Sequence, residues 1–395
     1  MPFSSATDGR RGYDVAIVGG GLAGLALSIQ AAKAGHKTIL FEKEKFPFHK
    51  VCGEYVSLES WNFLEELGLP LSQMNLPIIR DLVVTAPNGK KLERRLPLGG
   101  FGISRYKLDA MRADIAKVNG VELLEETKVN DINFTDEMFN VQCLPVRSAA
   151  KAGSTLHVQS KIVAATFGKR SNLDVKWKRG FVLQKPNKLN NYIGVKYHVR
   201  TDWSKELIAL HNFKNGYCGI SQIEGEKFCL CYLTTAKNLE DCGNSIEEME
   251  KKILCSNPHL KNIFAKAEKL YPAPVTISQI SFEKKSLIEN HILMIGDAAG
   301  MITPLCGNGM SMALHGSKMA FEQIDLFLRD KITRQQLEKE YEDHWKKQFA
   351  NRLKTGRMIQ RFFGSAVLSN LLISALKPFP TIATKLVSRT HGQPF

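Results

Sequence analysis

Three stretches predict an α/β fold: a GxGxxG dinucleotide-binding (Rossmann-type) unit, an inserted mostly antiparallel β-sheet, and C-terminal helices. The first is residues 13–42, where the apolar run Asp14-Val15-Ala16-Ile17-Val18 meets Gly19-Gly20-Gly21-Leu22-Ala23-Gly24, a helical pattern over 25–35 and a second strand ending on Glu42. The second is another apolar strand, 292–295, which delivers Gly296-Asp297 ahead of a helical run over 310–321. The third is 176–280, where short runs alternate between apolar and polar residues as half-buried antiparallel strands do.

In the first stretch each glycine has its own task. Gly19 permits the tight turn, Gly21 lets the backbone approach a pyrophosphate, and Gly24 allows close helix–strand packing. Leu22 and Ala23 lie in the glycine turn at the cofactor, ahead of a helix whose free N–H groups and positive dipole end favour phosphate. Glu42, 23 residues after Gly19, is placed to accept from ribose hydroxyls, with Lys43 beside it. In the second stretch Asp297 points a carboxylate at a ribityl chain. Pro304, Gly307, Gly309 and Met310 lead into a helix whose N–H groups face developing negative charge.

The ordered pair of motifs resembles the FAD-binding signatures of the flavoprotein superfamily that holds aromatic hydroxylases and geranylgeranyl reductases. The resemblance spans residues 13–321 and implies an FAD domain over 12–80, 100–175 and 281–330. It also implies a substrate domain over 81–99 and 176–280 and a C-terminal helical region over 331–395. The segment after Glu42 is similar to the proline–basic–Cys-Gly pattern of the geranylgeranyl reductases. Pro47, Lys50, Cys52 and Gly53 match, and Glu54 stands where that branch has a second glycine. Cys52 is the candidate catalytic residue, a free thiol beside a glycine in a polar loop; the bland alternative is a small buried apolar side chain.

Further along, 58–67 reads as a helix closed by Gly68, and 82–86 with 91–98 as a hairpin around Asn88-Gly89. Ser104-Arg105 with Leu108-Asp109 resembles the superfamily segment whose arginine touches cofactor phosphates. The alternative is a solvated helix-start arginine. Residues 121–124 and 139–143 read as strands, 148–154 as a loop tip, and 161–171 as the superfamily's second fingerprint in outline. There Thr166-Phe167 replaces the hydroxylases' aspartate, and Arg170-Ser171 remains. A helix over 245–256 interrupts the antiparallel strands, on which Tyr197, His211, Tyr217 and Tyr232 are either pocket or core residues. Residues 322–361 read as one charged helix, followed by 15 uncharged residues over 362–376, too short to span a bilayer.

Composition narrows the class. The chain has 395 residues, 44% hydrophobic and 24% charged, as a globular protein of two joined domains requires. Eight cysteines follow no disulfide or metal-ligand spacing, and the polar start has no apolar core. A reducing cytoplasmic setting with free thiols and no metal is therefore expected. Net charge is +15, and residues 331–395 carry 12 Lys and Arg against 4 Asp and Glu. No nucleic-acid motif accompanies that charge, so a membrane surface is the expected anionic partner, at the inner face of the membrane.

No second GxGxxG is present, so the electron donor is either NAD(P)H docking transiently or a redox protein. The resemblance leaves two enzyme readings: reduction of C=C bonds in an isoprenoid or similar lipid, or hydroxylation of a phenolic or aromatic substrate. Cys52-Gly53 and Gly300, where hydroxylases usually place histidine, favour the first; Arg170-Ser171 favours the second. A prenyl-lipid chaperone without cofactor is the reading outside enzymology, and the intact glycines, Glu42 and Asp297 oppose it.

Overall fold

The computed structural model describes residues 11–146, 155–187, 189–303, 307–363, 366–376, 378 and 392–395. Pro304, Cys306, the polar start and the expected loop tip over 148–154 lie outside them, except Arg11 and Gly12. The chain opens with β1 (Arg11–Val18), α1 (Leu22–Lys33) and β2 (Thr38–Phe41), then crosses to β3 (Tyr55–Ser57), α2 (Trp61–Glu66), β4 (Ile78–Thr85) and β5 (Lys91–Gly102). It returns through α3 (Arg105–Val118), β6 (Glu122–Leu124), β7 (Thr127–Thr135), β8 (Met138–Pro145), β9 (Leu156–Ala165) and α4 (Asn172–Lys176). The antiparallel strands β10 (Tyr192–Arg200), β11 (Leu207–Phe213), β12 (Gly216–Gln222) and β13 (Phe228–Thr235) follow, with α5 (Ala236–Glu240), α6 (Ile246–Lys252) and α7 (Pro258–Lys266). Last come β14 (Glu268–Lys269), β15 (Val275–Ile280), β16 (Ile288–Glu289), β17 (Ile292–Met294), α8 (Gly309–Leu328), α9 (Arg334–Phe363) and α10 (Ala366–Leu376).

These strands make two sheets. The first runs β16-β17-β9-β1-β2-β6, with β7 and β8 continuing from the outer half of β9. β1 lies parallel to both β2 and β9, with Val18 opposite Phe41 and Ala165. β17 joins β9 in parallel, with Met294 opposite Ala165. Burial on both faces explains why these strands read as continuous Val, Ile, Leu and Ala runs. The carboxyl ends of β1, β2, β9 and β17 therefore emerge side by side, which is where open parallel sheets bind ligands. The second sheet runs β14-β10-β13-β12-β11-β4-β5-β3, with β15 also on β10. It takes in Tyr55–Ser57 and residues 78–80, so it begins earlier in the chain than residue 81.

Several element limits differ from the sequence reading for local reasons. α1 starts at Leu22, not residue 25, because Gly24 is a first-turn contact and not a helix breaker: a Cβ there would lie 2.0 Å from the Gly19 carbonyl. Gly19 has φ +110, and a Cβ would meet Phe167 and Thr166 backbone at 2.7 Å. β5 runs past the expected strand end at residue 98, because residues 100–102 pair with β3. The 245–256 helix divides into α6 and a 3₁₀ turn before α7, whose start at Pro258 is capped by Asn257. The long charged helix is two, α8 and α9, broken over 329–333 where Asp330 has φ +56.

α10 lies against the second sheet. Ile373 is buried with Ala86 and Leu92, while Leu371 is 62% exposed. The side chains of Phe362, Phe363, Leu368 and Leu372 fall outside the described ones. No helix among the described residues is long and apolar enough to cross a membrane.

The glycines give a stability contrast. Gly24→Ala forces a methyl into the Gly19 carbonyl and is expected to cost about 1–3 kcal/mol. At Gly21 nothing lies closer than 3.8 Å, so Gly21→Ala in the apoprotein should stay within about 0.5 kcal/mol of the parent. Thermal melts of the two apo variants check this.

Candidate active site

The carboxyl edge of the first sheet collects the predicted glycine turn, Glu42 and Asp297. Gly19 N–H donates to Phe41 O, Thr166 N–H to Val18 O and Ile295 N–H to Ala165 O, at 2.8, 2.8 and 3.0 Å. Thr166 Oγ donates to Gly19 O at 2.6 Å, so the residue that departs from the hydroxylase fingerprint here braces the glycine turn. Glu42 is buried and accepts from Gly20 N–H at 2.8 Å and Glu44 N–H at 3.0 Å, keeping a second lone pair on each oxygen. Leu22 and Ala23 are buried in the first turn of α1, whereas Lys43 is exposed.

A basic group faces the turn from α3 and the segment after β2. Lys50 Nζ donates to Gly20 O at 3.3 Å and pairs with Asp109 at 3.1 Å. Arg105 forks onto Asp109 through Nε at 3.0 Å and Nη2 at 2.7 Å. Burial pushes the Asp109 carboxyl up, but Arg105 and Lys50 outweigh it and hold it at about 2. Arg112, two turns further on, is 0% exposed and donates to Leu22 O through Nη2. Its Nε and Nη1 find no hydrogen-bond partner among the described residues, and burial pulls the guanidinium down to about 9. A buried arginine with two idle donors is costly unless an anion completes it.

Across the turn, Asp297 is half-buried, and burial holds its carboxyl above the usual range despite Lys285, Arg105 and Lys169. Its loop is clamped by cations that the sequence reading missed. Lys285 Nζ donates to Asp297 O and Lys169 O, both at 2.7 Å. Arg179, paired with Asp174 at 2.7 Å, donates to Ala298 O at 3.1 Å. Gly296 packs against Ala23 and Ala313, so the two motifs touch, and a small cleft is lined by Asp297, Gly300, Gly309 and Trp345. A Cβ at Gly300 would stand 3.1 Å from the Trp345 indole, which explains glycine there. Gly307, at φ +64, faces the Tyr55 ring, and buried Met310 begins α8 beside Gly309.

Cys52 sits where the two sheets meet. Its carbonyl accepts from Cys229 Sγ at 3.2 Å, and burial raises its thiol against the lowering effect of Arg105. Gly53 is exposed. Glu54 has φ +55, the left-handed region that suits glycine, and its carboxylate is fully buried. It accepts from Lys196 Nζ at 2.7 Å, His198 Nε2 at 2.6 Å and Arg105 N–H at 2.9 Å. Burial pushes Glu54 up, but the His198 hydrogen bond and the Lys196 charge hold it below the usual range. Sequence reasoning missed this cluster. Its signal was present in Lys196 and His198, two residues apart on one face of an otherwise apolar strand, opposite Cys231 and Cys229.

Of the candidates on the second sheet, Tyr197 lines a small cleft with His49, His198 and Tyr271, and the others are buried in the core. Tyr197 and Tyr232 both donate to Glu250, at 2.8 and 2.9 Å, Tyr217 is buried, and His211 shares a hydrogen bond with Thr85 at 2.9 Å. The described cysteines are free thiols.

Comparison with known proteins agrees with this edge. Residues 14–49 match the FAD binding domain family. The chain is 26% identical over 364 residues to conditioned medium factor receptor 1 of Dictyostelium discoideum, covering 86% of this chain and 68% of that one. It is 26% identical over 347 residues to digeranylgeranylglycerophospholipid reductase of Methanococcus vannielii, covering 85% and 82%. Among solved structures, a geranylgeranyl bacteriochlorophyll reductase-like protein from Thermoplasma acidophilum superposes with TM-score 0.77 at 17% identity, over 98% of this chain and 97% of that one. A flavin-dependent brominase superposes with TM-score 0.77 at 18% identity, over 96% and 93%. The cofactor is FAD, and the edge fits it: Gly21 leaves open space that no protein atom fills, and Arg112 offers two buried donors to a diphosphate.

Four variants test this site. Gly21→Val should weaken FAD binding at least about tenfold, roughly 1.4 kcal/mol, and Asp297→Ala should lower flavin content. Arg112→Met should weaken FAD binding while leaving the apo melting temperature equal or higher, because it removes a buried charge; flavin fluorescence titration and apo melts read the pair. Lys196→Met strands the Glu54 carboxylate and should cost about 3 kcal/mol near pH 8. The cost should shrink near pH 5, because without its ammonium the carboxyl is free to protonate in the fold, as melts at the two pH values would record.

Proposed function

We propose that this FAD-dependent oxidoreductase, of the superfamily that holds aromatic hydroxylases and geranylgeranyl reductases, reduces carbon–carbon double bonds in the isoprenoid chains of a lipid. The observation that carries the reading is the Cys52 segment. It joins the cofactor edge to the antiparallel sheet, it matches the proline–basic–Cys-Gly pattern of the reductase branch, and its thiol is held neutral by burial. The named activity of the archaeal relative, which aligns over most of both chains, supports the same chemistry.

In this reading Gly21, the first turn of α1, Arg105 and Arg112 hold the diphosphate, Glu42 accepts from the adenosine ribose and Asp297 from the ribityl chain. Gly307, Gly309 and Met310 approach the ring system from the start of α8. Bound FAD, once reduced by NAD(P)H or a redox protein, supplies a hydride equivalent at its ring. The protein's part is to orient the double bond, exclude water and provide a proton to the neighbouring carbon, for which a neutral Cys52 is suited. A half-buried thiol whose pKa is raised keeps its proton and is a poor nucleophile, which fits a proton donor in a reduction.

The lipid is drawn from a membrane surface, with the basic C-terminal region adding attraction to anionic headgroups of about 1 kcal/mol per Lys or Arg at the surface. α10 packs Ile373 on the second sheet and leaves Leu371 exposed, and in this reading that exposed face meets the lipid surface.

Stopped-flow absorbance tests the reaction. FAD-loaded protein, photoreduced without oxygen, should be reoxidised by a digeranylgeranyl phospholipid and not by a saturated one. Cys52→Ala should slow that step about a hundredfold or more. Equal, slow reoxidation with both lipids would count against the reading. Co-sedimentation should require anionic vesicles and weaken with salt; no binding to either vesicle type would remove the membrane surface from the account.

A further inference from the structure

Residues 392–395 lie across α2, α8 and α9 as a short strap. The Phe395 ring stacks on His315 of α8, with centroids 4.1 Å apart and 12° between planes. It also tilts against Phe63 of α2 at 5.4 Å. Burial, with Arg352 and Lys318 adding to it, pulls the His315 imidazole down to about 4, so the stack joins two neutral rings. Phe395 N–H donates to the Glu59 carbonyl at 3.4 Å. Gln393 and Pro394, between Gly392 and the ring, are exposed.

At its other end the strap covers a charged pair. Glu59, in the 3₁₀ turn after β3, and Arg352 of α9 stand 3.9 Å apart with side chains 1% and 11% exposed. Glu59 Oε2 and Arg352 Nη1 find no hydrogen-bond partner among the described residues. A Cβ on residue 392 would lie 2.2 Å from Glu59 Oε2 and 2.5 Å from Arg352 Nη2, so a side chain there must push the pair aside. Burial raises the Glu59 carboxyl and lowers the Arg352 guanidinium, as in a pair that loses more from burial than it gains from pairing. The strap is therefore poised. Its aromatic end favours docking, and the two charges under Gly392 favour opening to water.

Glu59 joins the strap to the cofactor edge. The Asn308 side chain donates to its carboxyl, and Asn308 is the N-cap residue of α8. That side chain makes no capping bond to its own helix, so the start of α8 is held from Glu59 instead. Asn308 stands between Gly307 and Gly309, in the turn that meets the flavin ring in the reading above. Tyr55, four residues before Glu59, supports the same turn with its ring against Gly307. Each step from Phe395 to this turn is a direct contact or a peptide bond.

We infer that residues 392–395 are a strap whose docking is coupled to FAD binding through Glu59 and Asn308, which act as positioning residues. The inference rests on the placement of residues 307–310 at the flavin. FAD binds a fixed start of α8, and the docked strap fixes it, so each strengthens the other. Residues 377–391 join α10 to the strap and carry Lys377, Lys385 and Arg389. Docking of the strap ties down the far end of that basic stretch, and FAD loading sets how often it is tied.

The test uses the full chain, without and with FAD. Phe395→Ala removes the stacked ring, and Gly392→Val wedges the strap off the charged pair while keeping the ring. Flavin fluorescence titration should show FAD binding about fivefold weaker in each variant, with apo melting temperatures within about 2 °C of the parent. By reciprocity, FAD should slow hydrogen exchange at residues 392–395 of the parent chain by about the same factor. Parental FAD affinity in both variants would overturn the coupling. Weaker binding in the variants with unchanged exchange at 392–395 in the parent would overturn it too, because the loss is then local damage. If FAD slows exchange at 307–312 and not at 392–395, the cofactor placement stands and the strap coupling falls. If it slows neither segment, the placement falls and the coupling with it.

Discussion

A Cβ on residue 24 would lie 2.0 Å from the Gly19 carbonyl oxygen, so position 24 has no room for a side chain, and this close approach fixes how α1 leaves β1. Because the helix starts directly on the strand end, its free N–H groups point across the sheet edge. Thr166 then locks the turn from β9, and Glu42 locks it from β2. Everything else at the cofactor edge is positioned relative to this one backbone contact. Gly296 follows from it by packing on Ala23, which brings the Asp297 loop against the first turn of α1.

A second constraint ties this edge to the antiparallel sheet. The chain between β2 and β3 must pass the cofactor face and then join β5, and Glu54 is its anchor. The three donors on its carboxylate come from residues 51, 142 and 144 positions away in sequence. Such a network stabilises only if complete, since a lone buried carboxylate or ammonium costs several kcal/mol. The backbone penalty of a non-glycine residue in the left-handed region, about 1–2 kcal/mol, is small beside that. The network therefore fixes the segment that carries Cys52 against the second sheet and the start of α3.

Much of the cofactor edge was legible in the sequence because its signals are local: glycines at fixed spacing, apolar runs of strand length and an acid at the next strand's end. The helix start was misjudged at Gly24 because glycine reads as a breaker, whereas here it is required by a close approach. The groups that complete the site were not legible. Arg112 resembles any helix arginine until α3 is packed on α1, and Lys285 and Arg179 act only once the Asp297 loop folds over them. Glu54 was visible as a departure from the reductase pattern, but its partners lie on β10, and long-range pairing is not encoded in local spacing. The aromatic residues of the second sheet carried no signal that sets Tyr197, at a cleft, apart from Tyr217 and Tyr232 in the core.

In the proposed reaction a neutral Cys52 thiol and reduced FAD each supply one hydrogen, so the product should gain hydrogen and no oxygen. The direct measurement is the mass of a digeranylgeranyl lipid after turnover in air in deuterated water. Two added hydrogens per reduced double bond, at least one of them deuterium from solvent, is the predicted result. A product that gains an oxygen atom and keeps all its double bonds would contradict it.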